Sequence, residues 1–147
     1  LPGNRTSVPG ADLIRTCYLQ GTNVIGEPLA VLFRTDALKA AMPWRDENPL
    51  MLDLSTYERV APTGDVALRW ESVGAFRVSA SSWSTRIARQ QIEQTKAWQE
   101  QYAATATPPI TAAEKRRASL GRRKQTTLRR IAYTVLRAKG SLRTESS

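Results

Sequence analysis

Hydrophobic and polar positions in the first third of the chain predict a series of short elements. Over 12–20 the apolar residues recur at helical spacing, and Gly21 follows as a helix C-cap. The run 29–33 is continuously apolar, which is typical of a buried strand. Thr35 stands where it would cap a short helix over 35–41. This part of the chain therefore predicts a helix, a loop, a buried strand and a second helix.

The middle third carries a capping-box pattern, with Ser55 as N-cap and Glu58 three residues later. It predicts a helix that stops at Pro62. Apolar and other residues then alternate over 66–70, which favours a half-buried strand, and 73–78 favours another. Helices and strands mixed in this way predict the later part of an α/β domain rather than a complete doubly wound sheet.

The last third is predicted to be helical on both sides of a short spacer. A helix over 84–102 presents one face made of Ala88, Ile92, Thr95, Trp98 and Tyr102. Small residues and the Pro108-Pro109 pair make 103–111 a short, stiff linker. Beyond it, apolar residues at helical spacing form what we call the apolar stripe: Leu128, Ile131, Ala132 and Val135. We therefore divide the chain into a body (1–102), a linker (103–111) and a basic tail (112–147) with an amphipathic helix.

Charge is distributed unevenly over these parts. The chain has 147 residues and a formal charge of +9, from 22 basic and 13 acidic residues. Residues 1–111 hold 11 of each kind, whereas 112–147 hold 11 basic residues and two acidic ones. The body is thus neutral, and the tail carries the whole excess.

Two counts exclude much chemistry. The chain has no histidine, which excludes Ser-His-Asp triads and imidazole acid–base catalysis. Its one cysteine, Cys17, excludes an intrachain disulfide and is best interpreted as a small buried hydrophobe. The apolar runs are too short to cross a bilayer. The first residue, Leu1, begins no signal peptide, so we expect the chain to come from a longer protein.

Five motifs, in their order and spacing over about 22–102, resemble the acceptor side of family-two glycosyltransferases. They are Asn23-Val-Ile-Gly-Glu-Pro-Leu-Ala-Val-Leu-Phe-Arg34, Trp44-Arg-Asp46, Leu52-Asp-Leu-Ser-Thr-Tyr-Glu-Arg59, Gly64-Asp65 and Phe76-Arg-Val-Ser79. The resemblance implies a GT-A fold, of which this chain would be the C-terminal, acceptor-binding part. The complete enzyme would transfer a sugar with inversion from a nucleotide-sugar donor to a saccharide or lipid-linked acceptor. It would work in the cytoplasm, at or near the inner face of the cell membrane.

The resemblance also implies roles for particular residues. Asp53 matches the acidic motif and would be the general base, although the local pattern also allows Asp53 to act as a helix cap. Arg77 would bind diphosphate, or else pack on a neighbouring tryptophan. The remaining candidates would line the acceptor pocket: Asn23, Gly26, Glu27, Trp44 and Asp46. Their structural alternatives are a local turn for Asn23, a solvated Glu27 and a peripheral core position for Trp44.

The chain departs from the family pattern at two points. Ser79 stands where the family has a histidine after Phe-Arg-x. The chain also contains no Asp-x-Asp motif. The divalent Mg²⁺ or Mn²⁺ expected in the complete enzyme would therefore have its ligands mostly on the missing nucleotide-binding half.

The tail leaves several partners open. A basic amphipathic helix can lie on an anionic membrane surface, dock on the body through its apolar stripe, or remain solvated. We rank nucleic acid below the first two, because the body shows no matching basic or aromatic face. The alternative to an enzyme is a non-enzymatic α/β module held to a membrane or nucleic acid by this tail.

Overall fold

Helices make up most of the structure, and a small antiparallel sheet of two strands accompanies them. The structure is a computed structural model that describes residues 6–44, 48–69, 71–75 and 90–138. In chain order the elements are β1 (Ser7–Pro9), α1 (Gly10–Gln20), α2 (Thr35–Ala40), α3 (Leu52–Val60), β2 (Asp65–Ala67), α4 (Gln91–Thr105) and α5 (Ala112–Ala138). Short 3-10 turns cover Pro28–Ala30, Pro49–Met51 and Ala61–Thr63. The described part is thus a mixed α/β fold dominated by helices.

The hydrophobic core lies where α1, α3, α4 and the start of α5 meet. Trp98 of α4 is fully buried, and its indole N–H donates to the Glu58 carboxylate at 2.6 Å. Its neighbours in the core are Ile14, Cys17, Tyr18, Met51, Leu54, Tyr57, Ile110 and Ala118. Cys17 is buried as expected, and burial raises the pKa of its thiol to about 11.

The N-terminal strand closes the sheet against a segment from the middle of the chain. Val8 faces Val66 across the β1–β2 pair, and the Leu68 N–H donates to the Thr6 carbonyl at 2.8 Å. Val8 is buried, so the pair covers one edge of the core. Of the predicted strand 66–70, residues 66 and 67 lie in β2, which begins one residue earlier at Asp65; residue 70 lies outside the described residues.

Three local predictions are wrong. The run 29–33 is a 3-10 turn followed by irregular chain, and Leu32 is completely exposed, because no described strand pairs with it. Ser55 is not an N-cap: the Pro49–Met51 turn starts α3 at Leu52, so Ser55 lies inside the helix and is buried. Asp53 is likewise the second residue of α3 and not its cap.

Other predictions hold with shifted ends. The first helix ends at Gly21, whose φ of 64° is the left-handed conformation of a C-cap. Thr35 is the first residue of α2 rather than its cap. Helix α4 begins at Gln91 and runs to Thr105, while residues 76–89, which include part of both the predicted strand 73–78 and the predicted helix 84–102, lie outside the described residues. Residues 73–75 form no strand.

Candidate functional site

Helix α3 presents Asp53 and Tyr57 on one side because they are four residues apart. The helix is fixed by Leu54 and Tyr57, which are 1% and 2% exposed in the core. The Tyr57 hydroxyl donates to the Gly26 carbonyl at 3.3 Å, and the Tyr57 ring lies 5.7 Å from that of Phe33. This contact attaches the loop after α1 to the face of α3 that carries Asp53.

The loop itself is shaped by Asn23. Its side-chain oxygen accepts from the N–H groups of Ile25 at 2.9 Å and Gly26 at 3.2 Å. Its amide nitrogen donates to the Gly26 carbonyl at 2.9 Å. Gly26 has φ of 128°, a conformation that side chains rarely adopt, so glycine is required at this point of the turn. These are the local turn bonds that the structural interpretation of Asn23 expected.

The Gly26 carbonyl, the Glu27 and Asp53 carboxylates and the Tyr57 phenol interact with one another, and we call these four residues the Asp53 cluster. Burial of Asp53 and the negative charge of Glu27 raise the pKa of Asp53 above its ordinary value. Burial, and then the charges of Asp53 and Glu27, raise the pKa of Tyr57. Among the described residues, no side chain or N–H group forms a hydrogen bond or ion pair with the Asp53 carboxylate. A half-buried carboxylate of raised basicity is thus left available to accept a proton.

Not all of the candidate residues join this cluster. The structure brings together Asp53, Gly26 and Glu27, with Asn23 shaping their loop. Trp44 is half-buried and is not one of the core side chains. Asp46 and Arg77 lie outside the described residues. Tyr57 was missed as a site residue, although its position four residues after Asp53 on a predicted helix was a usable signal.

The described residues do not supply a metal site. No group of three or more His, Cys, Asp or Glu side chains is close enough to hold an ion in the part of the chain that the structure describes. Asp53 and Glu27 are two carboxylates, fewer than the three ligands that such a group would need. In the same described part, no helix has the length and apolar character needed to cross a membrane.

A separate pocket of about 440 Å³ opens between α1, α4 and α5. Three cations, Lys96, Lys115 and Arg122, line it together with Tyr18, Gln99 and Glu100. None of these belongs to the Asp53 cluster. Lys96 approaches Glu100 at 3.9 Å, and Arg122 donates to Gln99. Two of the three cations in the pocket therefore already have partners among its lining side chains.

Helix α5 docks on the rest of the chain, but not through its apolar stripe. Its backbone meets α1 so closely that a Cβ built on Gly121 would lie 2.4 Å from the Leu19 carbonyl oxygen. Ala118 and Thr126 of α5 are buried on this side, while Leu128, Ile131 and Val135 are 48%, 55% and 45% exposed. The hypothesis that the tail docks through its stripe is therefore wrong: small and polar residues make the contact, because only they allow so close an approach.

The start of α5 is fixed by a group that the sequence interpretation missed. Thr111 and Glu114 form a capping box: the Glu114 N–H donates to Thr111 Oγ1 at 3.2 Å, and the Thr111 N–H donates to Glu114 Oε2 at 2.9 Å. Arg15 of α1 donates to both Glu114 oxygens, at 2.7 and 2.8 Å, and to the Pro108 carbonyl at 2.8 Å. The pattern Thr-Ala-Ala-Glu was the signal for this cap.

No protein-family model, curated protein or solved structure matches this chain. A functional proposal therefore rests on the geometry of the described residues and on the order of motifs in the sequence. At the level of fold, they establish a mostly helical α/β chain with a two-stranded antiparallel sheet.

Proposed function

We propose that the chain is the acceptor-side part of an inverting glycosyltransferase of the GT-A fold, with Asp53 as the general base. One observation carries the proposal. Asp53 lies beside the Gly26–Glu27 loop, with a half-buried carboxylate that no described residue neutralises. The Gly26–Glu27 loop and Asp53 are separated by more than twenty residues in the sequence. The family resemblance assigns the loop to acceptor binding and Asp53 to acceptor activation.

As the general base, Asp53 removes a proton from the acceptor. An acceptor hydroxyl bound against the loop gives its proton to the Asp53 carboxylate as its oxygen bonds to the anomeric carbon of the donor. The bond from that carbon to the nucleoside diphosphate breaks at the same time, and the configuration inverts. The raised pKa of Asp53 makes it a stronger base, and Glu27 contributes to that increase through its charge.

Exposed apolar chain beside the Asp53 cluster supports the same proposal. Leu29 and Leu32 are 62% and 101% exposed, although they stand in the run that resembles a sheet strand of the family. The run is not a strand in this structure, but in a GT-A enzyme the nucleotide-binding half would cover apolar side chains at this position. The exposed run is therefore what the proposal expects of an acceptor-side part taken alone.

The test is turnover by the complete polypeptide that the gene encodes, including any upstream reading frame. A panel of nucleotide sugars is assayed for transfer and hydrolysis in the presence of Mg²⁺ or Mn²⁺. We expect Asp53→Asn to lower kcat by about 10²–10⁴-fold while donor binding is retained, because a positioned base typically contributes that much.

Asp12→Asn is the matched control, since Asp12 also lies in the first turn of its helix but is exposed on α1. It should leave kcat unchanged. Survival of activity in Asp53→Asn would reduce Asp53 to a structural residue. Absence of donor binding in the folded, complete protein would favour the alternative of a non-enzymatic binding module.

A further inference from the structure

The outer face of α5 combines exposed apolar side chains with nothing in the described structure to cover them. Leu128, Ile131 and Val135 of the apolar stripe are about half exposed, and Leu120, two turns before Leu128, is 67% exposed. The side chains of α5 that are buried against the rest of the chain, Ala118 and Thr126, point about 80° and 160° away from Leu128. Gly121 lies in the row of Leu128 but two turns earlier, where α5 contacts α1. The stripe is therefore open to a partner while α5 stays docked.

The apolar stripe is bordered by cations. Arg116, Arg123 and Arg130 follow one another at seven-residue spacing, which places them in one row along the helix, and all three are exposed. Lys124 is also exposed and lies one turn before Leu128. The helix contains nine basic residues and one acidic residue, Glu114, which is ion-paired with Arg15. The open face of α5 thus has no carboxylate to balance its charge.

This combination selects among possible partners. A second copy of the chain would bring two cationic faces together, which is unfavourable. Nucleic acid would use the arginine row but leave Leu128, Ile131 and Val135 without a role, because phosphate contacts need no apolar stripe. A surface of anionic lipid uses both features: apolar side chains enter the acyl boundary while arginine and lysine side chains stay among the headgroups.

We propose that the open face of α5, formed by the apolar stripe with Leu120 and Lys124 and bordered by Arg116, Arg123 and Arg130, binds an anionic lipid surface. The helix lies in the plane of the interface and does not cross it. The body stays attached through the earlier turns of α5, at Gly121, and through the side that carries Ala118 and Thr126. This surface is independent of the Asp53 cluster, so it does not depend on the glycosyltransferase proposal.

The test is co-sedimentation of the 147-residue chain with large vesicles, either of phosphatidylcholine alone or of phosphatidylcholine mixed with phosphatidylglycerol. We expect binding only to the anionic vesicles, weakening as salt is raised. Leu128→Asn combined with Ile131→Asn should lower the partition coefficient about tenfold or more. Arg116→Gln, Arg123→Gln and Arg130→Gln together should lower it about a hundredfold at low salt.

Each variant has a matched control away from α5. Leu32→Asn removes an equally large and more exposed leucine, and Arg34→Gln with Arg69→Gln removes two exposed cations that have carboxylate partners. Both controls should bind vesicles like the unmodified chain. Circular dichroism melts of every variant confirm that loss of binding is not loss of folding.

Three results would overturn the proposal. The first is equal binding by the asparagine variant together with tight binding to a 20-base-pair DNA, which would indicate a nucleic-acid surface. The second is a dimer that dissociates in the asparagine variant and does not bind vesicles. The third is no vesicle binding by the folded, unmodified chain. Asp53→Asn should leave vesicle binding unchanged, so failure of this proposal is distinguishable from failure of the enzymatic one.

Discussion

At the scale of the residue, Asp53 occupies a position that disfavours its own charge. Its pKa is raised from the ordinary 3.8 by burial and by Glu27. The folded state therefore holds the proton more tightly than the unfolded state, and stability falls as the pH rises above the ordinary value. The ionised form of Asp53 is therefore present at a cost to stability.

We therefore expect Asp53→Asn to raise the melting temperature at pH 7, because the amide removes the buried charge without a change of size. The gain should shrink as the pH falls and vanish at about pH 3, well below the ordinary pKa of 3.8, where Asp53 is protonated in both states. Asp12→Asn is the control for the loss of a first-turn carboxylate, which helices normally favour, and it should leave the melting temperature unchanged or slightly lower. Thermal melts followed by circular dichroism between pH 3 and pH 8 measure both; a lower melting temperature of Asp53→Asn at pH 7 would contradict this account.

The sequence was informative about residues whose role is local. The cap at Gly21, the turn bonds of Asn23 and the burial of Cys17 all follow from chemistry within a few positions. The prediction that Ser55 caps a helix was wrong because a distant contact decides where the helix begins. Its capping pattern with Glu58 is genuine in sequence, but the Pro49–Met51 turn begins the helix earlier and leaves Ser55 in its interior. The position of that turn is decided by packing of Met51 in the core, which no local pattern records.

At the scale of the element, the docking of α5 on α1 depends on two glycines. A Cβ on Gly21 would lie 2.6 Å from the Arg122 nitrogen, and one on Gly121 would lie 2.4 Å from the Leu19 carbonyl oxygen. Gln99 of α4 completes the joint by donating to the Tyr18 carbonyl at 2.7 Å and to the Ala118 carbonyl at 3.3 Å. The backbones of α1 and α5 are therefore in contact, and the Gln99 side chain connects α4 to both of them.

Gly121→Ala should destabilise the chain by about 1–3 kcal/mol, because the new methyl group meets rigid backbone and forces α5 away from α1. Alanine favours the helix itself by about 1 kcal/mol, so a net loss can come only from the joint. Gly64→Ala is the control, since its Cβ would meet nothing within 4 Å. Urea unfolding measures both, and a stabilised Gly121→Ala variant would show that the helices are not so closely joined.

Periodicity predicted that α5 exists but not which of its sides docks. The apolar stripe was the natural choice for a docking side, yet the contact is made by Ala118, Gly121 and Thr126. Helices whose backbones lie close together need small residues at the contact. A search for hydrophobic periodicity does not identify such residues. The predicted strand over 29–33 failed on a related point, since an apolar run becomes a strand only where a partner strand is available.

At the scale of the whole molecule, one ion pair joins the first helix to the last. Arg15 and Thr111 hold the Glu114 carboxylate so well that its pKa falls from 4.5 to about 2. A lowered pKa means that the unfolded state binds the proton more tightly. The stabilisation is therefore complete above about pH 4.5 and is lost as the pH falls towards 2.

We expect Glu114→Gln to lower the melting temperature at pH 7 and to make no difference near pH 2. Glu100→Gln is a suitable control, because Glu100 is an exposed carboxylate whose partner, Lys96, lies at 3.9 Å on the same helix. Melting curves recorded at half-unit steps from pH 2 to pH 7 would test this. If the melting temperatures of Glu114→Gln and of the unmodified chain coincide across the whole pH range, the ion pair contributes nothing to stability.

The composition and the mixture of elements indicated a small α/β chain with a helical tail, and at that level the description holds. Which helices would surround the core could not be read from the sequence, because the contacts between α1 and α5 join residues about a hundred positions apart. Only the family resemblance led us to expect that Asp53 and the Gly26–Glu27 loop lie close together. Periodicity by itself contains no information about pairs so distant.

The packing of α1 against α5 also sets the order of events during synthesis. Helix α1 leaves the ribosome first, but its partner side is not made until about a hundred residues later. At the usual elongation rate of about 5–20 residues per second, α5 is therefore made on the order of 5–20 s after α1, and later than α3 and α4, which share the core with Ile14, Cys17 and Tyr18. The core around these side chains is consequently completed only when α5 has emerged.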